Sequence, residues 1–234
     1  MKKLVILTGA GMSAESGIST FRDAGGLWDR YPVEQVATPE GWERDPTLVT
    51  EFYNHQRAQL VKAQPNEGHR LLARLEERFD VAIVTQNVDD LHERAGSSHV
   101  IHLHGELMKV CSSRRPDDPR YIRRLHSDEL RVEPGTKAPD GSLLRPWIVW
   151  FGEAVPNMET AIRLAAGADI FVIIGTSLNV YPAAGLIHYV PHEASVYLID
   201  PKPVTVPEGR PIHIIRDVAT SGVRTLTREL EALH

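Results

Sequence analysis

An α/β fold, with a mostly parallel sheet, helices on both faces and a smaller inserted domain, follows from three observations on this sequence. Short, continuously apolar runs recur between amphipathic stretches, as strands buried on both faces require. The first run, Leu4-Val5-Ile6-Leu7, feeds into the glycine-rich turn Gly9-Ala10-Gly11-Met12-Ser13-Ala14. Two stretches, residues 29–68 and 110–146, interrupt the alternation with compositions of their own.

The elements can be justified in order. Strands are predicted near residues 3–8, 80–85, 99–103, 169–175, 195–199 and 212–215. The first turn has the Gly-x-Gly-x-x-Ala spacing of a dinucleotide loop: a tight turn at Gly9, close backbone approach to a pyrophosphate at Gly11, and helix packing at Ala14. Ala10 lies inside this loop, and Ser13 is expected as the helix N-cap. The same spacing also occurs as a plain turn. A simple Rossmann dehydrogenase places a second strand and its ribose-binding acid about twenty residues on. Here residues 18–79 carry aromatic loops and amphipathic helices instead, and the next strand is Val81-Ala82-Ile83-Val84-Thr85. It runs into Gln86-Asn87-Val88-Asp89-Asp90-Leu91-His92, and Val100-Ile101-His102-Leu103-His104 ends at Gly105. Polar residues therefore gather at strand ends, where open α/β sheets bind ligands.

Residues 46–61 suit an amphipathic helix, with Leu48, Val49, Phe52, Tyr53, Leu60 and Val61 apolar. Residues 110–146 are polar and proline-containing, which predicts a loop-dominated module closed by a small cluster of Leu125, Leu130, Val132, Leu143 and Leu144. A final helix is expected over about 217–233, with Leu226, Leu230 and Leu233 on one side. The implied division is a Rossmann-like domain over 1–28, 69–109 and 147–234, and an inserted domain over 29–68 and 110–146.

The 234 residues, 42% apolar and 24% charged, suit one large globular domain with an insertion. A net charge of −5 gives no basic footprint for nucleic acid. No run approaches the roughly 18 apolar residues of a membrane span. The apolar run after Met1-Lys2-Lys3 is too short for an export signal. A soluble, cytoplasmic monomer is expected.

Five motifs, in order and along nearly the whole chain, resemble the sirtuin family of NAD-dependent protein lysine deacylases. They are Gly9 to Gly17 continuing through Ile18-Ser19-Thr20-Phe21-Arg22, Thr85 to His92, His104-Gly105, Val149-Trp150-Phe151-Gly152-Glu153, and Gly175-Thr176-Ser177-Leu178-Asn179-Val180. The resemblance implies NAD as co-substrate and acyl-lysine proteins or peptides as partners. It makes His104 the base that activates a ribose hydroxyl after the acyl oxygen displaces nicotinamide, so that the acyl group leaves as O-acyl-ADP-ribose. Asn87 and Asp89 match the residues that hold the nicotinamide carboxamide and an ordered water, and Gln86 matches a ribose contact. Phe21 matches the aromatic cover of that pocket and Arg22 the residue that orders the cofactor loop. Toward the adenosine end, Gly175, Thr176, Ser177 and Asn179 match phosphate and ribose contacts. Asp200 stands where Asn is common and favours NAD over NADP, while Val218 and Ala219 match a looser adenine-side contact. An extended peptide is expected between Val149-Trp150-Phe151-Gly152 and Val180, paired through its main chain.

Two departures from the family pattern matter. Many relatives hold the second insertion with zinc on four cysteines, but this chain has one, Cys111. No metal is expected there, and Cys111 reads as a packed small side chain. Relatives that prefer succinyl, malonyl or glutaryl lysine pair a Tyr-x-x-Arg with a nearby alanine. Ala24 and Tyr53 match, but the arginine position is Gln56, and Arg57 lies one helix step of about 100° away. Acetyl is therefore the expected acyl group. Rival readings are an NAD hydrolase or protein ADP-ribosyltransferase on the same fold, a non-catalytic NAD sensor, and a metal hydrolase built on His102-x-His104.

Overall fold

The computed structural model describes residues 1–18, 31–126, 128–206 and 209–232. Its strands are β1 (Lys3–Thr8), β2 (Asp80–Thr85), β3 (Val100–His102), β4 (Gly105–Ser112), β5 (Arg123–Arg124), β6 (Leu144–Ile148), β7 (Ile170–Ile174), β8 (Ser195–Ile199) and β9 (His213–Ile215). The principal helices are α1 (Ala10–Ala14), α2 (Val33–Val36), α3 (Pro39–Arg44), α4 (Pro46–Leu60), α5 (Glu67–Arg74), α6 (Leu91–Ala95), α7 (Met158–Ala166) and α8 (Ala219–Glu231).

The large sheet has the order β3-β2-β1-β7-β8-β9, with every neighbouring pair parallel. Strand order reverses between β1 and β7, so the crevice at their carboxyl ends is the switch point where such sheets bind dinucleotides. The second strand comes late because the chain builds α2 to α5 between β1 and β2, while the sheet order itself is that of a doubly wound fold. Alternate residues of each central strand serve opposite layers. Leu4 and Ile6 pack with Leu72, Val223 and Leu226 of α5 and α8, while Val5 and Leu7 pack with Ala161, Ala165 and Leu186.

Helix α4 begins at Asp45, whose Oδ1 accepts from the Leu48 amide at 2.8 Å, with Pro46 in the first turn. Its apolar face joins a third core of Val49, Phe52, Tyr53, Trp42, Leu107 and Trp150. The region expected to be loop-dominated contains an antiparallel sheet, β5-β4-β6. Strands β4 and β6 run through residues 109–110 and 146–147, so this sheet continues directly from the His104–Gly105 corner. Beside it, Leu125, Val132 and Leu144 cluster with Val110 and Ala138; Leu143 joins the α4 core instead, and Leu130 is half-exposed. Cys111 is fully buried, and burial pushes its thiol up to about 12.

Candidate active site

The crevice is shaped by two backbone segments that nearly touch. Gly9 N donates to Ile174 O at 3.0 Å, and Gly11 N donates to Gly175 O at 2.9 Å. A Cβ on Gly175 would stand 2.5 Å from Met12 N, and the residue has φ +61°, so glycine is required there. A Cβ on Gly11 would stand 2.7 Å from Gly175 Cα. The first turn of α1 and the turn after β7 therefore present bare backbone, which fits a pyrophosphate that must approach closely.

Ser13 is not the N-cap of α1. Gly9 takes that position in extended conformation, and Ser13 lies buried inside the helix. Its hydroxyl donates to Asp89 Oδ2 at 2.8 Å, while Asp89 Oδ1 accepts from Leu91 N at 3.1 Å at the start of α6. Asn87 Nδ2 donates to Gly9 O at 2.9 Å and to Ser13 Oγ at 3.2 Å. The Gly9 turn, Ser13, Asn87 and Asp89 thus form one buried polar group across the ends of β1 and β2. Burial pushes the Asp89 pKa up, opposed by the hydrogen bonds from Ser13 and the Leu91 amide. The link from Ser13 to Asp89 spans 76 residues, and no local pattern announces it. Behind it, Thr8 Oγ1 donates to Thr85 Oγ1 at 2.8 Å and lies 3.2 Å from His92 Nε2.

His104 lies at the next strand end. Its Nδ1 is 2.9 Å from Gln86 O, so Nδ1 carries the proton and Nε2 is left as the basic nitrogen. Burial lowers its pKa from 6.5, and the Gln86 carbonyl opposes that shift without cancelling it. Gly105, with φ +83°, brings His104 against β6: a Cβ there would stand 2.1 Å from Trp147 O, and Val149 N donates to His104 O at 2.9 Å. Gln86 Nε2 reaches Thr176 Oγ1 at 3.1 Å, linking the His104 side to the turn after β7.

The remaining expected residues divide by position. Thr176 is buried; Ser177 and Asn179 are exposed on the same turn, with Val180 half-exposed after them. Asp200 follows β8, and its Oδ1 accepts from Lys202 N at 2.8 Å. Val218 caps α8, and Ala219 is its buried first residue. Phe21, Arg22 and Ala24 lie outside the described residues.

Trp150, in the Val149–Glu153 segment, is buried. Its side chain turns into the α4 core, Nε1 donates to the Tyr53 hydroxyl at 3.1 Å, and its amide is taken by Glu153 at 2.8 Å. The Arg145 guanidinium stacks 3.4 Å from its ring and pairs with Glu153 at 2.8 Å. Phe151, 45% exposed, and the exposed Gly152 form the accessible part of the segment.

On α4, Gln56 is half-buried, and its Nε2 has no hydrogen-bond partner among the described residues. Arg57 turns away from it. Arg57 Nε donates to Leu107 O at 3.0 Å and Nη1 to Asn54 Oδ1 at 2.8 Å, while Asn54 pairs with both backbone polar groups of Val132. Burial lowers the Arg57 pKa to about 10.

His102 leaves no nitrogen for a metal. Its Nδ1 faces Asn87 O and its Nε2 faces Glu93, and no cluster of three or more His, Cys, Asp or Glu with metal-binding geometry occurs among the described residues.

Residues 9–182 match the Sir2 family. The chain belongs to that family. A protein of Bacteroides thetaiotaomicron named NAD-dependent protein deacylase is 68% identical over 230 residues, covering 98% of each chain. A Helicobacter pylori protein of the same name is 49% identical over 230 residues, again covering 98% of each. The crystal structure of a Sir2 homologue in complex with NAD superposes with a TM-score of 0.86 at 38% identity, covering 99% of this chain and 90% of that one.

Proposed function

We propose that this chain removes acyl groups, acetyl foremost, from lysine side chains of proteins, consuming one NAD and one water and releasing nicotinamide, O-acyl-ADP-ribose and free lysine. The observation that carries this reading is the convergence of three parts at the carboxyl ends of β1, β2 and β3: the Gly9–Gly11 turn against Gly175, the Asn87–Asp89 group, and a neutral His104 held through Nδ1. NAD supplies an electrophilic ribose carbon with nicotinamide as its leaving group. Asn87 and Asp89 orient the carboxamide, His104 Nε2 accepts the proton of a ribose hydroxyl, and the turn at 9–11 takes the pyrophosphate. Phe21 and Arg22 belong to the same reading as cover and cofactor-loop contacts. Gln86, Thr176, Ser177 and Asn179 serve the phosphates and riboses, and Asp200, Val218 and Ala219 the adenosine end.

A peptide enters beside Phe151, Gly152 and Val180 and pairs through its main chain. Gln56 offers an uncharged donor toward the acyl end, which favours acetyl over acyl groups with a distal carboxylate.

The test is incubation with acetyl-, succinyl- and longer acyl-lysine peptides, with and without NAD, read by mass spectrometry. Loss of acetyl with formation of O-acetyl-ADP-ribose, absent from His104→Ala, is the expected result. ADP-ribose formed at the same rate with no peptide present would instead identify an NAD hydrolase.

A further inference from the structure

His102 stands one strand step before His104 and has no role in the chemistry above, yet both of its ring nitrogens are engaged. Nδ1 lies 3.0 Å from the main-chain oxygen of Asn87, and Nε2 lies 2.7 Å from Glu93 Oε1, with the residue buried. Both neighbours are acceptors. A neutral imidazole has one N–H and one lone pair, so it can satisfy one of them and must turn its lone pair on the other. The doubly protonated ring donates to both.

We propose that His102 is a positioning residue: as an imidazolium clamped by Glu93, it holds the Asn87–Val88 peptide and so aims the Asn87 carboxamide at the nicotinamide. This rests on the assignment of Asn87 to the nicotinamide side of the site. The Asn87 amide is already fixed by Thr85 Oγ1 at 3.0 Å, and the carbonyl of Val88 is fixed by Leu107 N at 2.8 Å. His102 supplies the donor between those two points, and its own carbonyl is anchored by Asn157 Nδ2 at 2.8 Å. If the ring loses a proton, the carboxylate, as the stronger acceptor, retains the remaining N–H. Nδ1 then turns a lone pair on Asn87 O, and the peptide bearing the carboxamide loses its support.

Charged and titratable groups face the ring from each packed element. Glu93 and the buried His92 come from α6, Glu106 from β4, and Asp89 from the turn after β2. Arg124 of β5 stands behind them, 3.9 Å from Glu106 and 2.8 Å from Asp90. Burial opposes the charged ring, but the hydrogen bond and charge of Glu93, with the charge of Glu106, outweigh it and raise the pKa of His102. His104 is shifted the opposite way. Over the interval between them one histidine is neutral for proton transfer and the other is charged for positioning.

The test compares wild type with Glu93→Gln, which leaves an acceptor opposite Nε2 and removes the charge. Three quantities are followed against pH: the His102 ring by 15N NMR, the NAD dissociation constant by calorimetry, and kcat/KM for NAD at saturating acetyl-lysine peptide. In the variant, His102 should titrate about one unit or more lower, and the alkaline weakening of NAD binding and kcat/KM should move down with it. Between the two titration points, kcat/KM for NAD should fall about tenfold, since one pKa unit is a tenfold change in proton affinity. The acid limb and the peptide KM should stay in place. His102→Gln, with a single donor group, should lose the alkaline transition in NAD binding while still unfolding cooperatively. A His102 titration that moves without moving the alkaline NAD transition overturns the proposal, as does a wild-type ring already neutral at pH 6. NMR and calorimetry need no turnover, so a wild type that fails to deacylate sinks the deacylase reading while the clamp is still tested.

Discussion

Ser13 Oγ donates to Asp89 Oδ2 at 2.8 Å, joining the first turn after β1 to the first turn after β2 at the point where both are buried. The bond orients a carboxyl whose ionisation burial resists. The folded pKa of Asp89 lies above its ordinary 3.8, so the folded state carries a cost for the ionised form. That cost is absent below the unfolded value and grows as pH rises through the folded one. Asp89→Asn removes it while keeping an acceptor for Leu91 N. Thermal unfolding of the variant should match or exceed wild type at pH 8, with the difference vanishing toward pH 4. NAD-dependent turnover should drop roughly tenfold to a hundredfold, the usual consequence of losing a charge-assisted contact. A variant less stable than wild type at pH 8 would show that Asp89 stabilises the fold as a carboxylate.

His104 should set the acid limb of activity. Its base form is neutral, and burial depresses its pKa below 6.5, so kcat/KM for acetyl peptide should hold as pH falls through the ordinary imidazole range and decline beneath it. His104→Gln should lower kcat by about a hundredfold or more, as loss of a general base does. The pH–rate profile checks this, and an acid limb above 6.5 would require a carboxylate near the ring that is not among its described neighbours.

The six strands of the large sheet were legible because runs such as Leu4 to Leu7 and Ile170 to Ile174 are apolar on both faces and stop at glycine. The glycine turn is legible from its Gly-x-Gly-x-x-Ala spacing, and His104-Gly105 from its place at a strand end and its resemblance to the family motif. The antiparallel sheet was hidden. Strand β6 carries Arg145 and Pro146, and Arg145 is buried only because Glu153 and the Trp150 ring meet it there. Ser13 does not cap α1, the usual role of a helix-start serine, because tertiary packing supplies Asp89 as its partner. The motif around Trp150 does not show that its ring packs into the α4 core, because the partner, Tyr53, lies 97 residues away.

Gly105 should tolerate no side chain. Its Cβ would stand 2.1 Å from Trp147 O at φ +83°, whereas Gly141 has φ +78° with nothing within 4 Å of its Cβ position. Gly141→Ala should therefore cost only the left-handed backbone penalty of about 1–2 kcal/mol. Gly105→Ala must also force β4 and β6 apart and should exceed roughly 4 kcal/mol, the range of severe core lesions. Urea unfolding of the two variants makes the comparison. Equal midpoints would mean that the corner holding His104 yields without cost.

Acyl choice turns on adjacent residues with separate jobs. Arg57 is committed to Leu107 O and Asn54, and so to holding α4 against β4, while Gln56 Nε2 is buried without a partner among the described residues. A charge at position 56 would sit one turn from Tyr53, on the side of α4 that the Arg57 side chain leaves. Gln56→Arg should therefore raise desuccinylation relative to deacetylation by about tenfold or more, the worth of a charge-assisted pair with a distal carboxylate. Arg57→Leu should leave the acyl ranking unchanged and cost about 1–3 kcal/mol, because Leu107 O loses the Arg57 donor inside the core and Asn54 Oδ1 is left with Val132 N alone. Competition between acetyl and succinyl peptides for each variant separates the two positions. A change of ranking in Arg57→Leu, with none in Gln56→Arg, would move the acyl-end contact to Arg57 and show that the packed arrangement of α4 rearranges when substrate binds.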